Sequence, residues 1–292
     1  MQGRIIKGIA GFYYVYAEDS NIYACRAKGI FRLLGIRPLT GDYCRMEVTD
    51  TKDMEGNITG IFPRRSELIR PNVANIDQAL IVFSLTCPEP NLLMLDKLIL
   101  QYQANGLTSL ICFNKADLAD EALLEQVRGI YSGTGYPLLF ISALEGEGTD
   151  EVKKLLEGKT TSVAGPSGAG KSTLINRLQD NIRSETGSIS RKSERGKQTT
   201  RHSEIIPIDR ETFIMDTPGF SSFELCGIEA GELAGMYPEF DIDNGCYFTP
   251  CSHTHEPGCA VRELVEKGLI NRTRYDNYAA IYEELRSRRR FR

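Results

Sequence analysis

Over the first seventy residues, apolar side chains concentrate in five short runs: GRIIKGIA, GFYYVYA, NIYACRA, DYCRMEV and NITGIF. The runs are rich in β-branched and aromatic side chains and are separated by Gly, Asp and Asn, a pattern that predicts strands joined by tight turns. Five strands in this length predict a small closed barrel of the OB-fold type, a common oligonucleotide platform. From about residue 72 the pattern changes. Apolar runs QALIVFSL, SLICFN, PLLFISA, TSVAG and TFIMD alternate with NLLMLDKLILQYQA, DEALLEQVRGIY, TDEVKKLLEG and KSTLINRLQ, which have helical periodicity. This alternation predicts a mostly parallel sheet with helices on both faces. After about residue 227 a cysteine-rich loop is followed by helical segments, including YDNYAAIYEELRSRRR. The expected fold is therefore multidomain. A β-barrel spans 1–68, an α/β domain 69–226, and a mostly helical C-terminal domain 227–292.

Within the α/β region the stretch GPSGAGKS, Gly165 to Ser172, fits the phosphate-loop pattern in full, with a strand before it and a helix after it. Backbone amides of Gly165, Pro166, Ser167, Gly168, Ala169 and Gly170 are expected to curl around phosphate oxygens (Pro166 contributes shape, having no N–H). The opening of the helix, with Thr173 in its first turn, adds positive potential. Lys171 is expected to bridge the terminal phosphates and Ser172 to coordinate Mg²⁺.

That motif specifies a nucleoside triphosphate, and NKAD supplies the base. Asp117 can accept from both N1–H and the exocyclic amine of guanine, whereas adenine presents a lone pair there. Asn114 and Lys115 are expected to shape the pocket wall. NKAD ends the strand SLICF, where open α/β sheets bind ligands. ISAL ends the next strand, and amides of Ser142, Ala143 and Leu144 are expected to meet the guanine carbonyl. DTPGF ends the strand TFIM, with Asp216 holding Mg²⁺ through water and the Gly219 amide sensing the γ-phosphate. Between phosphate loop and DTPG lies the basic stretch SISRKSERGKQTTRHSE. It reads as a switch, with Thr200 the expected second Mg²⁺ ligand and Thr199 the alternative.

The base-reading motifs come first, then the phosphate loop, then the switches. Cutting a guanine-nucleotide domain between its third and fourth strands and joining its old ends produces this order, a circular permutation. The expected cofactor is thus GTP with Mg²⁺. Phe220 stands where many GTPases place a glutamine that orients the attacking water, so slow intrinsic turnover is expected, with a partner required for acceleration.

Charge adds a partner class. The chain carries −4 overall, yet residues 1–70, 183–201 and 262–292 carry net +3, +4 and +4. Basic islands on an acidic protein suit a site-specific polyanion. Arg32, Arg64 and Arg65 are candidate RNA contacts. No apolar run approaches the ~20 residues of a membrane helix. The N-terminus lacks a leader-like apolar core, so a cytoplasmic location is expected. Of eight cysteines, Cys25, Cys44, Cys87 and Cys112 lie in strand-like stretches and Cys226 stands apart. Cys246, Cys251 and Cys259 cluster with histidine in CYFTPCSHTHEPGC, which reads as a metal site in a reducing compartment.

With these motifs in this order, the chain resembles the ribosome small subunit-dependent GTPase A (RsgA) family. The resemblance extends to PLTGD (Pro38 to Asp42) and the PRRSELIRPNVANIDQ junction (Pro63 to Gln78). It implies an OB-fold, a permuted GTPase domain and a zinc domain. It also implies GTP hydrolysis stimulated by the small ribosomal subunit in late maturation, with rRNA bound, and a monomer without membrane attachment is expected. The family's zinc spacing is matched by Cys246, Cys251, His253 and Cys259, with His255 the competing nitrogen ligand. Three thiolates and an imidazole make a closed structural site. Where the family commonly has a catalytic histidine, this chain has Gln198, with His202 beyond Thr200. Gln198, then His202, then a ribosomal group are the candidates for positioning water. The second switch runs directly into the zinc domain, so loss of the γ-phosphate is expected to release a grip on RNA. The rival reading is a zinc-dependent RNA-binding GTP switch that acts on another RNA with little hydrolysis.

Overall fold

The computed structural model describes residues 1–69, 72–186, 204–209, 211–216, 224–242 and 245–289. Five strands, β1 (Gln2–Ile9), β2 (Phe12–Ala17), β3 (Ile22–Ala27), β4 (Tyr43–Asp50) and β5 (Glu55–Ile61), close into a barrel in the order β1-β2-β3-β5-β4. Ile5, Val15, Tyr23, Cys25, Cys44, Met46 and Ile58 point inward and form its core. In β4 the buried Cys44 and Met46 alternate with exposed Tyr43, Arg45 and Glu47, as the two faces of a strand require. A one-turn helix, α1 (Ile30–Leu33), adds Phe31 to that core.

A hairpin of β6 (Glu67–Ile69) and β7 (Asn72–Ala74) follows. Its strands are too short to show a period in sequence. The PLTGD turn is built around Asp42, whose fully buried carboxylate accepts the Leu39 amide at 2.7 Å. Arg64 grips the same carboxylate with Nε at 2.7 Å and Nη2 at 2.9 Å, and its Nη2 also reaches the Arg37 carbonyl. A fork-on-fork pair of this kind fixes geometry as well as charge. It corrects the expectation for Arg64, whose guanidinium is committed to the junction and is not held out toward RNA. Arg65 is largely exposed, 3.2 Å from Asp77.

The remaining elements are β8 (Gln78–Ser84), α2 (Leu92–Ala104), β9 (Thr108–Asn114), α3 (Glu121–Tyr131), β10 (Leu138–Ile141), α4 (Thr149–Leu156), β11 (Thr160–Ala164), α5 (Lys171–Thr186), β12 (Glu204–Pro207), β13 (Phe213–Asp216), α6 (Ala260–Glu266) and α7 (Arg272–Arg289). The strands form one sheet in the order β10-β9-β8-β11-β13-β12. Pairing is parallel between β9 and β10 and between β11 and β13, while β12 is an antiparallel edge strand that the apolar pattern did not foretell. The chain runs outward from β8 through β9 to β10, then returns to the other side of β8 as β11. The strand order therefore reverses between β8 and β11.

Two compact units can be distinguished. One joins the barrel and hairpin to Thr149–Ala164 and Lys171–Gly219. Here Arg4 of β1, 2 % exposed, donates to Thr160 Oγ1 at 2.5 Å and to the Asn75 carbonyl at 2.9 Å. Its guanidinium stacks on the rings of Tyr43 and Phe213, with centroids at 4.8 and 4.5 Å. Lys7 pairs with Glu204.

The other unit comprises Ile81–Gly148, Gly165–Gly170 and Phe220–Arg292. Its polar centre is Asp96 of α2, fully buried, which accepts from Arg274 of α7, Tyr131 Oη (3.1 Å) and Asn277 Nδ2 (2.7 Å). Arg274 also donates to Glu239 at 2.7 Å. Against the effect of burial, the two carboxylates hold the Arg274 guanidinium charged. A buried pair of this kind costs several kcal/mol when one partner is removed, about 3–5. It fastens α7 to α2.

Candidate active site and metal centre

Asn114 ends β9 with its side chain almost fully buried. Its Nδ2 donates to the Ala169 carbonyl in the phosphate loop at 2.9 Å, and its Oδ1 accepts the Ala143 amide at 2.9 Å. One amide side chain thus joins three segments singled out in sequence: NKAD, ISAL and GPSGAGKS. The loop can approach so closely because two of its three glycines stand where a Cβ would collide. At Gly170, φ is +90° and a Cβ would lie 2.1 Å from Asn114 Nδ2. At Gly165, φ is +141° and a Cβ would lie 2.0 Å from the Val82 carbonyl oxygen. Only glycine is compatible with either position.

Lys115 adopts a left-handed conformation, φ +65°, and its Nζ donates to the Cys87 carbonyl. Such a backbone is uncommon outside glycine and marks positions held by their surroundings. Two residues on, Asp117 sits exposed in the short 3₁₀ turn Ala116–Leu118. The amides of Ser142 and Ala143 are engaged within the protein, the first with the Glu147 carbonyl at 3.0 Å and the second with Asn114. They therefore do not point at a base as expected from sequence. Ser142 Oγ accepts the Glu145 amide at 3.2 Å, so the pair shapes the loop.

The segment after β8 was missed in sequence. Besides receiving Lys115, it sets Pro88 Cδ 3.4 Å from where a Gly168 Cβ would stand. The available signal was positional, since SLTCPEPN leaves the carboxyl end of a central strand.

In the other unit, Lys171, Ser172 and Thr173 open α5, with Ser172 and Thr173 exposed. Burial lowers the Lys171 pKa, and the negative charge of Asp216 opposes that shift. Asp216 ends β13 in register with Val163, two residues before the phosphate loop begins. An ammonium desolvated in this way gains by meeting further anionic charge, as phosphate would supply. The Ser172 hydroxyl and Asp216 carboxylate are oxygen donors suited to Mg²⁺. Gln198, Thr199, Thr200, His202, Gly219 and Phe220 lie outside the described residues.

The metal candidates converge. One donor atom each from Cys246, Cys251, His253 and Cys259 lies within 4.8 Å of the others. His253 Nδ1 stands 3.4 Å from the sulfurs of both Cys246 and Cys259, which are 3.9 Å apart. A tetrahedral zinc with Zn–S bonds of about 2.3 Å separates its sulfurs by about 3.8 Å, so the donor set fits zinc. His255 is exposed, pairs with Thr254 Oγ1 and is not among the four. The cluster is braced from α7, where Tyr275 Oη donates to the His253 carbonyl at 2.8 Å and Tyr278 Oη to the Ser252 carbonyl at 2.7 Å. Such outer contacts orient metal ligands.

Comparison with known proteins decides the family. A model of the RsgA GTPase matches residues 61–226, and one of the RsgA N-terminal domain matches 2–58. The chain belongs to the RsgA GTPase family. It is a GTP-hydrolysing enzyme, and its central domain is circularly permuted. A relative from Agathobacter rectalis, named small ribosomal subunit biogenesis GTPase RsgA, is 49% identical over 100% of both chains. One of the same name from Alkaliphilus metalliredigens is 42% identical over 99% of each. Among solved structures, YjeQ from Thermotoga maritima superposes with TM-score 0.79 at 33% identity, covering 97% of this chain and 98% of its own. YloQ, described as a circularly permuted GTPase, gives 0.76 at 34%, covering 98% and 95%. The RsgA resemblance and the barrel–GTPase–helical architecture read from sequence are both borne out.

Proposed function

We propose that this RsgA-family GTPase turns over slowly alone, is stimulated by the small ribosomal subunit late in that subunit's maturation, and binds its rRNA. The observation that carries the reading is the Asn114 side chain, which ties the base-reading strand ends to the phosphate loop. One GTP then has its guanine at Asp117, which accepts from N1–H and the exocyclic amine, and its phosphates at Gly165–Gly170. Lys171 reaches the terminal phosphates. Mg²⁺, held by Ser172 and, through water, Asp216, supplies charge neutralisation when bound, with Thr200 the further ligand. Gly219 senses the γ-phosphate. Gln198 orients the attacking water, with His202 the second candidate.

Phe220 offers no hydrogen bond to water, so a group from the ribosome completes the site, a contribution of about 10³ to 10⁵ in rate for comparable GTPases. The second switch continues in sequence into the zinc-binding region, so loss of the γ-phosphate loosens the hold on rRNA. The family names support the small subunit as partner. The protein acts as a cytoplasmic monomer. No described helix is long and apolar enough to cross a membrane. The test is steady-state GTP turnover with purified small or large subunits. Stimulation by small subunits alone is expected. No stimulation by either leaves the rival, a GTP-bound RNA switch with little hydrolysis.

A further inference from the structure

The chain leaving the DTPGF motif is fastened at two successive residues. Gln101 of α2 meets Cys226 with both ends of its side-chain amide. Its Oε1 accepts the Cys226 N–H at 2.8 Å, and its Nε2 donates to the Cys226 carbonyl at 3.2 Å. One residue earlier, Arg288 of α7 donates through Nη1 to the Leu225 carbonyl at 2.7 Å, while its Nη2 donates to Glu284 at 2.6 Å. Leu225 is 3 % exposed and shares a core with Leu100 of α2 and Leu285 of α7. Cys226 is exposed and takes no part in that core, so its backbone is held by Gln101.

An amide side chain carries a donor and an acceptor side by side, so it pairs with one residue's N–H and C=O as a neighbouring strand would. Such a pair fixes where the backbone runs, whatever residue stands there. Both bonds are exposed to solvent, so water can replace either partner and the pair adds little to global stability. Its effect is on position. The position it fixes is the downstream end of the second-switch segment, whose upstream end is Asp216, the last residue of β13.

We propose that Gln101 is a positioning residue for GTP hydrolysis: by anchoring Cys226 it sets the end against which the γ-phosphate draws the Gly219 amide. Without the anchor, GTP still binds through Asp117, Lys171 and the phosphate loop, but fewer bound molecules reach the reactive arrangement. A loss of this kind falls on kcat and spares KM. The role of Gly219 rests on the function proposed above, whereas the hold on Cys226 does not.

The test pairs amide hydrogen exchange at Cys226 with steady-state GTP turnover of the full chain. In Gln101→Ala the Cys226 amide is expected to exchange faster. Its kcat is expected to fall about 3- to 10-fold at unchanged KM, the weight of one to two exposed hydrogen bonds. Gln101→Glu keeps an acceptor for the N–H but sets a carboxylate against the Cys226 carbonyl, and is expected to lose at least as much. Melting temperature and zinc content are expected to stay at wild-type values in both. Wild-type kcat in either variant with exchange accelerated overturns the proposal, and so does unchanged Cys226 exchange in both. A fall in kcat that comes with a lower melting temperature or a raised KM also overturns it, since a folding or binding role would produce that. Gly219→Ala separates the two claims. Turnover lost there but intact in Gln101→Ala ends the anchoring role alone, whereas turnover intact in both ends the γ-phosphate reading too.

Discussion

Replacing Asn114 with alanine deletes the hydrogen bonds to the Ala169 carbonyl and the Ala143 amide. Both bonds are buried. Each orphaned backbone group costs about 1–3 kcal/mol, or roughly 2–6 kcal/mol for the pair. If even the lower figure falls on the nucleotide-binding geometry, the GTP dissociation constant rises about 30-fold. Asn114→Asp is expected to do worse, because one carboxylate oxygen then faces the Ala169 carbonyl across the present 2.9 Å. The assay is titration with a fluorescent GDP or GTP analogue, alongside thermal unfolding and zinc content. A weakened Kd with zinc retained is the expected result. An alanine variant that binds within threefold of wild type and melts at the same temperature refutes the idea that this side chain assembles the site.

Asp117→Asn removes a charged double acceptor for guanine. GTP affinity is expected to fall about 10²- to 10⁴-fold, and xanthosine triphosphate, which carries a carbonyl where guanine has its amine, is expected to be gained; competition binding with both nucleotides checks this. Arg274→Met strands the buried Asp96 carboxylate and is expected to cost about 3–5 kcal/mol in denaturant unfolding. Adding Asp96→Leu should recover much of that loss, and no recovery would falsify the pairing as its cause. Wild-type protein is expected to carry one zinc per chain by elemental analysis, and Cys259→Ser to lose it together with a marked drop in melting temperature. A full zinc complement in that variant contradicts the four-ligand site.

The barrel was legible because its strands are short runs of β-branched and aromatic residues parted by Gly, Asp and Asn turns; buried and exposed positions alternate cleanly around Met46, whereas β1 buries Arg4, Ile5 and Ile6 in succession. The nucleotide motifs were legible because Gly165, Gly170 and Lys171 have no apolar substitutes for their tasks. The hairpin β6–β7 and the edge strand β12 were not, since ELI, NVA and EIIP are brief and bounded by polar residues or proline and lack the longer apolar runs that marked β10 and β13. Arg64 misled because a basic side chain in an exposed-looking stretch gives no hint that Asp42 lies folded against it. Ser142 and Ala143 misled in a related way, because their backbone bonds to Glu147 and Asn114 depend on loop closure rather than on residue type. His253 and His255 differ by two positions in sequence, and only the folded loop brings the first to the sulfurs.

The most direct test is a crystal structure of the protein with a non-hydrolysable GTP analogue and Mg²⁺. A single nucleotide is predicted, its guanine edge on the Asp117 carboxylate and its β- and γ-phosphates on Lys171 Nζ and the Gly165–Gly170 amides. A nucleotide touching one of those side chains while the other faces a separate cavity, or equal occupancy by an ATP analogue, would contradict it.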